Sequence, residues 1–220
     1  MRKIKALVFD MDGLIFDSER VVQRTWNYAG ETLGYGRVGE HIYNTLGFNV
    51  VRRKEYFQHV FGEDFPMDAF NALTRKRFYE IVGEEGLKVK KGVRELLEYA
   101  KKKGMRIALA TSSRREYSVK ILTDAGIMKY FDGCVFGDMV ERAKPDPEIY
   151  LKACRSIGME PEKCMALEDS PAGIRSSFVA GMTPIMVPDL VEPDEEVRKL
   201  YNRKVESLLD VMTLLEKENV

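Results

Sequence analysis

The apolar positions along the chain follow two different rhythms. Ile4 to Phe9 is a short, nearly uninterrupted apolar run rich in β-branched and aromatic residues, and it halts at Asp10. A run of that length bounded by turn-forming acids predicts a buried strand. From about Asp17 to Glu85 the pattern changes to aromatic and basic residues, among them Trp26, Tyr28, Tyr43, Tyr56, Phe57, Phe61, Phe65, Phe70, Phe78 and Tyr79. Val21, Thr25, Tyr28 and Ala29 recur on one helical face, and glycines at 30, 34, 36, 39, 47 and 62 punctuate the stretch. The spacing predicts roughly four short helices and no strand.

After Gly92 the rhythm becomes helix, strand, helix, strand. Val93, Leu96, Leu97 and Ala100 recur at helical spacing before Gly104, a natural C-terminal cap. Arg106–Ala110 reads as a strand, Tyr117, Ile121 and Leu122 mark a helix closed by Gly126, and Cys134–Phe136 is a short strand. Pro147 opens a helix carrying Ile149, Ala153 and Ile157 and ending at Gly158, and Cys164–Leu167 is a fourth strand. Ser170 followed by Pro171 is a cap and a first-turn proline, with the helix expected to run to Gly181. Pro184–Val187 is a fifth strand, and a last helix carries Leu208, Leu209, Met212 and Leu215. Strands alternating with helices imply a parallel sheet covered on both faces. The expected organisation is an α/β, doubly wound core over 1–16 and 86–220, with a helical insert over 17–85.

Composition narrows the possible partners. The chain has 220 residues, with 35 Lys and Arg against 35 Asp and Glu, and the zero balance argues against a dedicated nucleic-acid binder. The three cysteines, Cys134, Cys154 and Cys164, form no C-x-x-C pair, so buried reduced thiols are expected and not a disulfide framework or zinc cluster. The apolar run Ala6–Phe9 is too short for a signal-peptide core or a membrane span. A soluble, cytoplasmic, monomeric protein without membrane or nucleic-acid partners is expected.

In a parallel sheet of this kind ligands bind beyond the carboxyl ends of the strands. The residues there are Asp10 and Asp12, then Thr111, then a loop with Lys144, then Glu168 and Asp169. Each alone reads as a turn, a helix cap or a solvated charge. Together they place several carboxylates in one crevice, where they would repel unless a cation sits among them. Hard oxygen ligands suit Mg²⁺. A hydroxyl and an ammonium opposite would bind anionic oxygens, which is what a transferring phosphoryl group requires.

Four segments then carry a resemblance: Phe9-Asp-Met-Asp-Gly-Leu14, Ala110-Thr-Ser-Ser113, Lys144-Pro-Asp-Pro147 and Leu167-Glu-Asp-Ser-Pro-Ala-Gly173. In order and spacing the chain resembles the haloacid dehalogenase superfamily, in its phosphatase and β-phosphoglucomutase-like branch. The resemblance covers nearly the whole chain and implies a Rossmann-like core with the helical insert as a cap. It implies that Asp10 is the nucleophile and forms an aspartyl-phosphate, and that Asp12 protonates the leaving oxygen and then activates water. Thr111, Ser112 and Lys144 would hold the phosphoryl oxygens. Mg²⁺, with Mn²⁺ or Co²⁺ as substitutes, would be bound by Asp10, the Asp12 backbone carbonyl and Asp169, with Glu168 in or just outside the coordination sphere. Arg52 and Arg77, among the insert's basic residues, would contact substrate.

The same resemblance separates the branch's members. Val22 stands where the mutases carry a cap histidine, and neither His41 nor His59 fits that role. Asp12 distinguishes the chain from the halide-displacing members, which lack the second acid. The expected activity is therefore Mg²⁺-dependent hydrolysis of a small phosphorylated metabolite, a sugar phosphate, with a β-phosphoglucomutase-type mutase as the alternative. A signalling receiver domain also gathers acids, a hydroxyl and a lysine around Mg²⁺, but it lacks the D-x-D pair and the insert. A non-catalytic phosphate binder is the remaining alternative, and here every catalytic position is intact.

Overall fold

The apolar run near the N-terminus forms β1 (Ala6–Phe9), with every residue buried. It lies inside a six-stranded sheet of a computed structural model that describes residues 3–45, 50–190 and 192–218. The chain divides into two compact units, one holding everything up to Asp17 and from Lys88 onward, the other Ser18–Leu87.

In the Ser18–Leu87 unit the helices are α1 (Ser18–Thr32), α2 (Ile42–Thr45), α3 (Val50–Phe61) and α4 (Met67–Glu85). They are not uniformly short, since α4 has 19 residues and packs along α1. Phe57 is fully buried, with the rings of Trp26, Phe61, Phe65 and Phe70 centred 5.0–5.7 Å from its own. The buried stripe of α1 runs through Val21, Thr25, Trp26 and Ala29. Tyr28, expected on that face, is instead 43% exposed. The bulky indole draws the stripe round toward residue 26, which leaves Tyr28 at its margin. There the Arg77 guanidinium lies 5.6 Å from the Tyr28 ring centre.

The other unit adds α5 (Val93–Lys102), β2 (Arg106–Ala110), α6 (Arg115–Asp124), β3 (Gly133–Val135), α7 (Glu148–Ser156), β4 (Cys164–Glu168), α8 (Pro171–Val179), β5 (Thr183–Met186), β6 (Arg203–Lys204) and α9 (Leu208–Glu218). The strand order is β3-β2-β1-β4-β5-β6 and every pairing is parallel. This is the expected α/β doubly wound sheet with one strand more than its periodicity predicts. The extra strand, β6, is two exposed basic residues with no apolar signal, formed only by pairing Ile185 with Arg203 and Met186 with Lys204. Among the described residues no helix is long and apolar enough to cross a membrane.

The central strands are sorted by size. On one face stand Ala6, Val8, Ala108, Ala110, Cys164 and Ala166, packed with Ile149, Tyr150, Ala153 and Cys154 of α7. The alternate positions, Leu7, Phe9, Ile107, Leu109, Met165 and Leu167, are also fully buried and face the opposite way. Small side chains on the first face let α7 approach the sheet closely. Cys154 and Cys164 are buried there, whereas Cys134, expected in the core, is only half-buried on the three-residue β3.

Phe57→Ala should lower the unfolding free energy by about 3–5 kcal/mol, because it removes the ring that joins four aromatic neighbours. Chemical denaturation measures this, and a loss under about 1 kcal/mol would contradict the packing described.

Candidate active site

Parallel register sets the site. Phe9 pairs with Leu109 on one side and Leu167 on the other, so the next position along β1, Asp10, comes level with Ala110 and Glu168. The Asp10 backbone N–H continues the ladder by donating to the Leu167 carbonyl at 3.0 Å. By strand alternation Asp10 and Glu168 share the face of Val8 and Ala166, the face that α7 covers. Lys144, in the loop that leads into α7 through a cis Lys144–Pro145 peptide, therefore meets both.

Its ammonium donates to Asp10 Oδ1 and to Glu168 Oε1, each at 2.6 Å, and to the Ala110 carbonyl at 3.0 Å. The Lys144 side chain is only 6% exposed and that of Glu168 is fully buried. A buried charge is tolerated only when paired and hydrogen-bonded, and this group is saturated. Tyr150 Oη donates to the same Glu168 oxygen at 2.6 Å, and its ring centre lies 5.0 Å from the ammonium. The other Glu168 oxygen accepts from the Ser170 hydroxyl at 2.9 Å and the Ser170 backbone N–H at 3.2 Å. The Ser170 hydroxyl also caps α8, accepting from the Gly173 N–H at 3.1 Å. A Cβ at Gly173 would sit 1.8 Å from the Glu168 carboxyl, so only glycine fits the first turn of α8 against that carboxylate.

The second acid has its own support. Asp12 Oδ2 accepts from the Ser113 hydroxyl at 2.7 Å, and the Ser113 N–H donates to Thr111 Oγ1 at 3.0 Å. Thr111 is fully buried. Ser112 is exposed on the same loop, its backbone packed against Gly137. At Gly13, φ is +78° and an added Cβ would fall 2.1 Å from Asp169 Oδ2. The turn after β1 thus lies directly under the Asp169 carboxylate.

Asp10, Asp12, Thr111, Lys144, Glu168 and Asp169 are brought together within one unit. Arg52 and Arg77 belong to the Ser18–Leu87 unit, on α3 and α4. Arg77 pairs with Glu80 at 2.9 Å. Three participants escaped the sequence reading: Ser113, Ser170 as a partner of Glu168, and Tyr150. Ser113 and Ser170 sit inside the recognised segments. Tyr150 gave no signal beyond being one more large residue on an amphipathic helix.

Asp10, Glu168 and Asp169 each offer a carboxylate oxygen within 4.8 Å of the others. Burial pushes the Asp10 carboxyl up to about 8; the Lys144 ammonium pulls it back, and the neighbouring Glu168 and Asp12 charges add to the rise. For Lys144 burial works against the charge, but Asp10 and Glu168 outweigh it and raise the ammonium's pKa. One buried lysine thus does not neutralise the carboxylates around it. A hard divalent cation fits this all-oxygen donor set, and it would return Asp10 to its anionic form.

Known proteins resemble the chain over most of its length. Residues 4–181 match the model of the haloacid dehalogenase-like hydrolases. The YhcW protein of Bacillus subtilis (strain 168) is 34% identical over 94% of each chain. The phosphorylated carbohydrates phosphatase of Thermotoga maritima is 34% identical over 83% of this chain and 84% of that one. The crystal structure of CbbY from Rhodobacter sphaeroides in complex with phosphate superimposes with a TM-score of 0.75 at 27% identity, covering 94% of this chain and 96% of that one. The chain belongs to the haloacid dehalogenase-like hydrolases.

The raised Asp10 pKa has a consequence for stability. An acid whose folded pKa lies above its unfolded value, 3.8 here, stabilises the fold fully below about 4, and the contribution is lost as pH rises through about 8. In chelator, the melting temperature should therefore fall more steeply between pH 5 and 9 for the wild type than for Asp10→Asn. Added Mg²⁺ should raise the wild-type midpoint most at the alkaline end. Parallel curves for the two proteins would refute the assignment.

Proposed function

From its place among the haloacid dehalogenase-like hydrolases, we propose that this chain is a phosphatase that hydrolyses small phosphorylated metabolites, sugar phosphates in particular, through an aspartyl-phosphate on Asp10. The observation that carries the reading is the orientation of two carboxylates by separate donors at one strand end: Asp10 by Lys144, and Asp12 by Ser113. The names of the relatives support the substrate class, since one of them is a phosphatase of phosphorylated carbohydrates.

With Oδ1 of Asp10 bound to Lys144, the second carboxylate oxygen attacks phosphorus in line. The Asp10–phosphorus bond forms as the ester's phosphorus–oxygen bond breaks, and protonated Asp12 gives its proton to the departing alkoxide. Asp12, now anionic, takes a proton from water, whose oxygen attacks the phosphorus. The Asp10–phosphorus bond breaks, inorganic phosphate leaves, and both acids return to their starting forms. Thr111, Ser112 and Lys144 surround the phosphoryl oxygens, and the Lys144 charge opposes the negative charge gathering there. Asp10 and Asp169, with the Asp12 backbone carbonyl, would hold Mg²⁺, which supplies charge neutralisation at those oxygens. Both Glu168 oxygens already accept from protein donors, so it orients Lys144 and adds its carboxylate in or just outside the coordination sphere. Ser18–Leu87 acts as the cap, with Arg52 and Arg77 as its cationic contacts to substrate.

Asp10→Asn should retain the fold and lower kcat on an aryl phosphate by about a thousandfold or more. Exhaustive chelation should abolish turnover and Mg²⁺ should restore it. Turnover within tenfold of wild type in either case rejects the mechanism.

Hydrolysis should also prevail over isomerisation. A mutase must shield its phospho-enzyme from water until a second hydroxyl arrives, and Val22 replaces the histidine that couples this step in the mutases. With β-glucose 1-phosphate and a trace of glucose 1,6-bisphosphate, free phosphate should accumulate ahead of glucose 6-phosphate. The reverse order would establish the mutase reading.

A further inference from the structure

The turn after β1 is held from a second direction by residues outside the recognised segments. Residues 15–17 run antiparallel to residues 88–90, with Asp17 N–H donating to the Lys88 carbonyl and Lys90 N–H to the Ile15 carbonyl, at 3.0 and 2.9 Å. This pairing delivers the Lys90 side chain back over the turn. Its ammonium donates to the Gly13 carbonyl at 2.6 Å and to Asp189 Oδ1 at 2.8 Å. Asp189 follows the end of β5, so the ion pair ties the loop beyond that strand to the turn beyond β1.

Three observations give this contact more than a general stabilising role. Gly13 directly follows Asp12, and its positive φ is a conformation that a glycine leaves readily when nothing restrains its carbonyl. The Cα of the same residue lies against Asp169, where a Cβ would clash with the carboxylate. One peptide unit therefore has Lys90 on its carbonyl and Asp169 against its Cα. Finally, the Asp189 side chain is only 11% exposed, and its buried Oδ2 has no hydrogen-bond partner. Burying a half-satisfied carboxylate is costly, and its one evident task is to neutralise and aim Lys90. The pair is internally balanced, so it adds no net charge to the crevice.

We propose that Lys90, aimed by Asp189, is a positioning residue for the reaction: by holding the Gly13 carbonyl it fixes the turn that presents Asp12 and seats Asp169. This rests on the phosphatase reading for its kinetic readout and on the Asp169 carboxylate for its binding readout. It predicts that loss of Lys90 disturbs the chemical step and Mg²⁺ binding and leaves substrate affinity largely intact. A tie that served stability alone would change only the melting temperature.

The test compares wild type with Lys90→Met, Lys90→Arg and Asp189→Asn, each shown to be folded by circular dichroism at the assay temperature. On an aryl phosphate, Lys90→Met should lower kcat at least tenfold with KM within threefold. Calorimetric titration of the resting proteins with Mg²⁺ should show at least fivefold weaker binding. Lys90→Arg, which keeps the charge and a donor, should recover most of both. If Lys90→Met does not fold, Asp189→Asn carries the test, with an expected kcat loss of at least threefold at unchanged KM. Smaller losses of kcat and Mg²⁺ affinity in the folded variants overturn the proposal. Inactivity of the wild type on every phosphate ester would instead defeat the phosphatase reading, while the Mg²⁺ titration would still decide the role of Lys90.

Discussion

Two buried carboxylates on adjacent strands cannot stand side by side without a cation between them, and Lys144 is that cation. Asp10 and Glu168 are brought level by the β1–β4 register, and the ammonium lies 2.6 Å from each. Much of the surrounding structure follows from keeping this group dry and saturated. Tyr150 and Ser170 complete the acceptor needs of Glu168. Gly173 has no side chain because the Glu168 carboxyl occupies that space. The small residues of β1, β2 and β4 beneath α7 allow the helix close enough for Tyr150 to reach the carboxylate.

This arrangement divides the acids by role. Glu168, fully buried and hydrogen-bonded on both oxygens, orients Lys144. Asp10 is held by that lysine on Oδ1. Burial pushes the Asp10 carboxyl up to about 8, with the Glu168 and Asp12 charges adding to the rise and Lys144 pulling it down. A hard divalent cation beside these carboxylates would hold Asp10 in its anionic form.

The turn after β1 is the second constrained element. It carries Asp12, passes under Asp169 at Gly13, and is gripped by Ser113 on one side and Lys90 on the other. Lys144, Ser113 and Lys90, donors from three distant parts of the chain, meet at the four consecutive residues from Asp10 to Gly13. Such convergence suits chemistry in which small displacements of an acid or a metal ligand cost large factors in rate.

Local chemistry in the sequence determined a good deal. Short apolar runs bounded by polar or turn-forming residues located β1, β2, β4 and β5, because buried parallel strands must be apolar and their ends must meet solvent or ligand. Asp10, Asp12, Thr111, Glu168 and Asp169 stand out in the sequence because they lie at or just beyond strand ends, and Lys144 because it lies in the loop between β3 and α7. What tertiary structure decided lies where residues far apart in the chain meet. The pairing that makes β6 from Arg203 and Lys204 leaves no apolar trace, since the strand is exposed. The reach of Tyr150 to Glu168 depends on how closely α7 approaches the sheet, which helical periodicity alone does not encode. The contact of Lys90 with Gly13 spans 77 residues of chain, and a lysine in a basic linker looks like any solvated charge until the fold places a buried carbonyl and a carboxylate beside it.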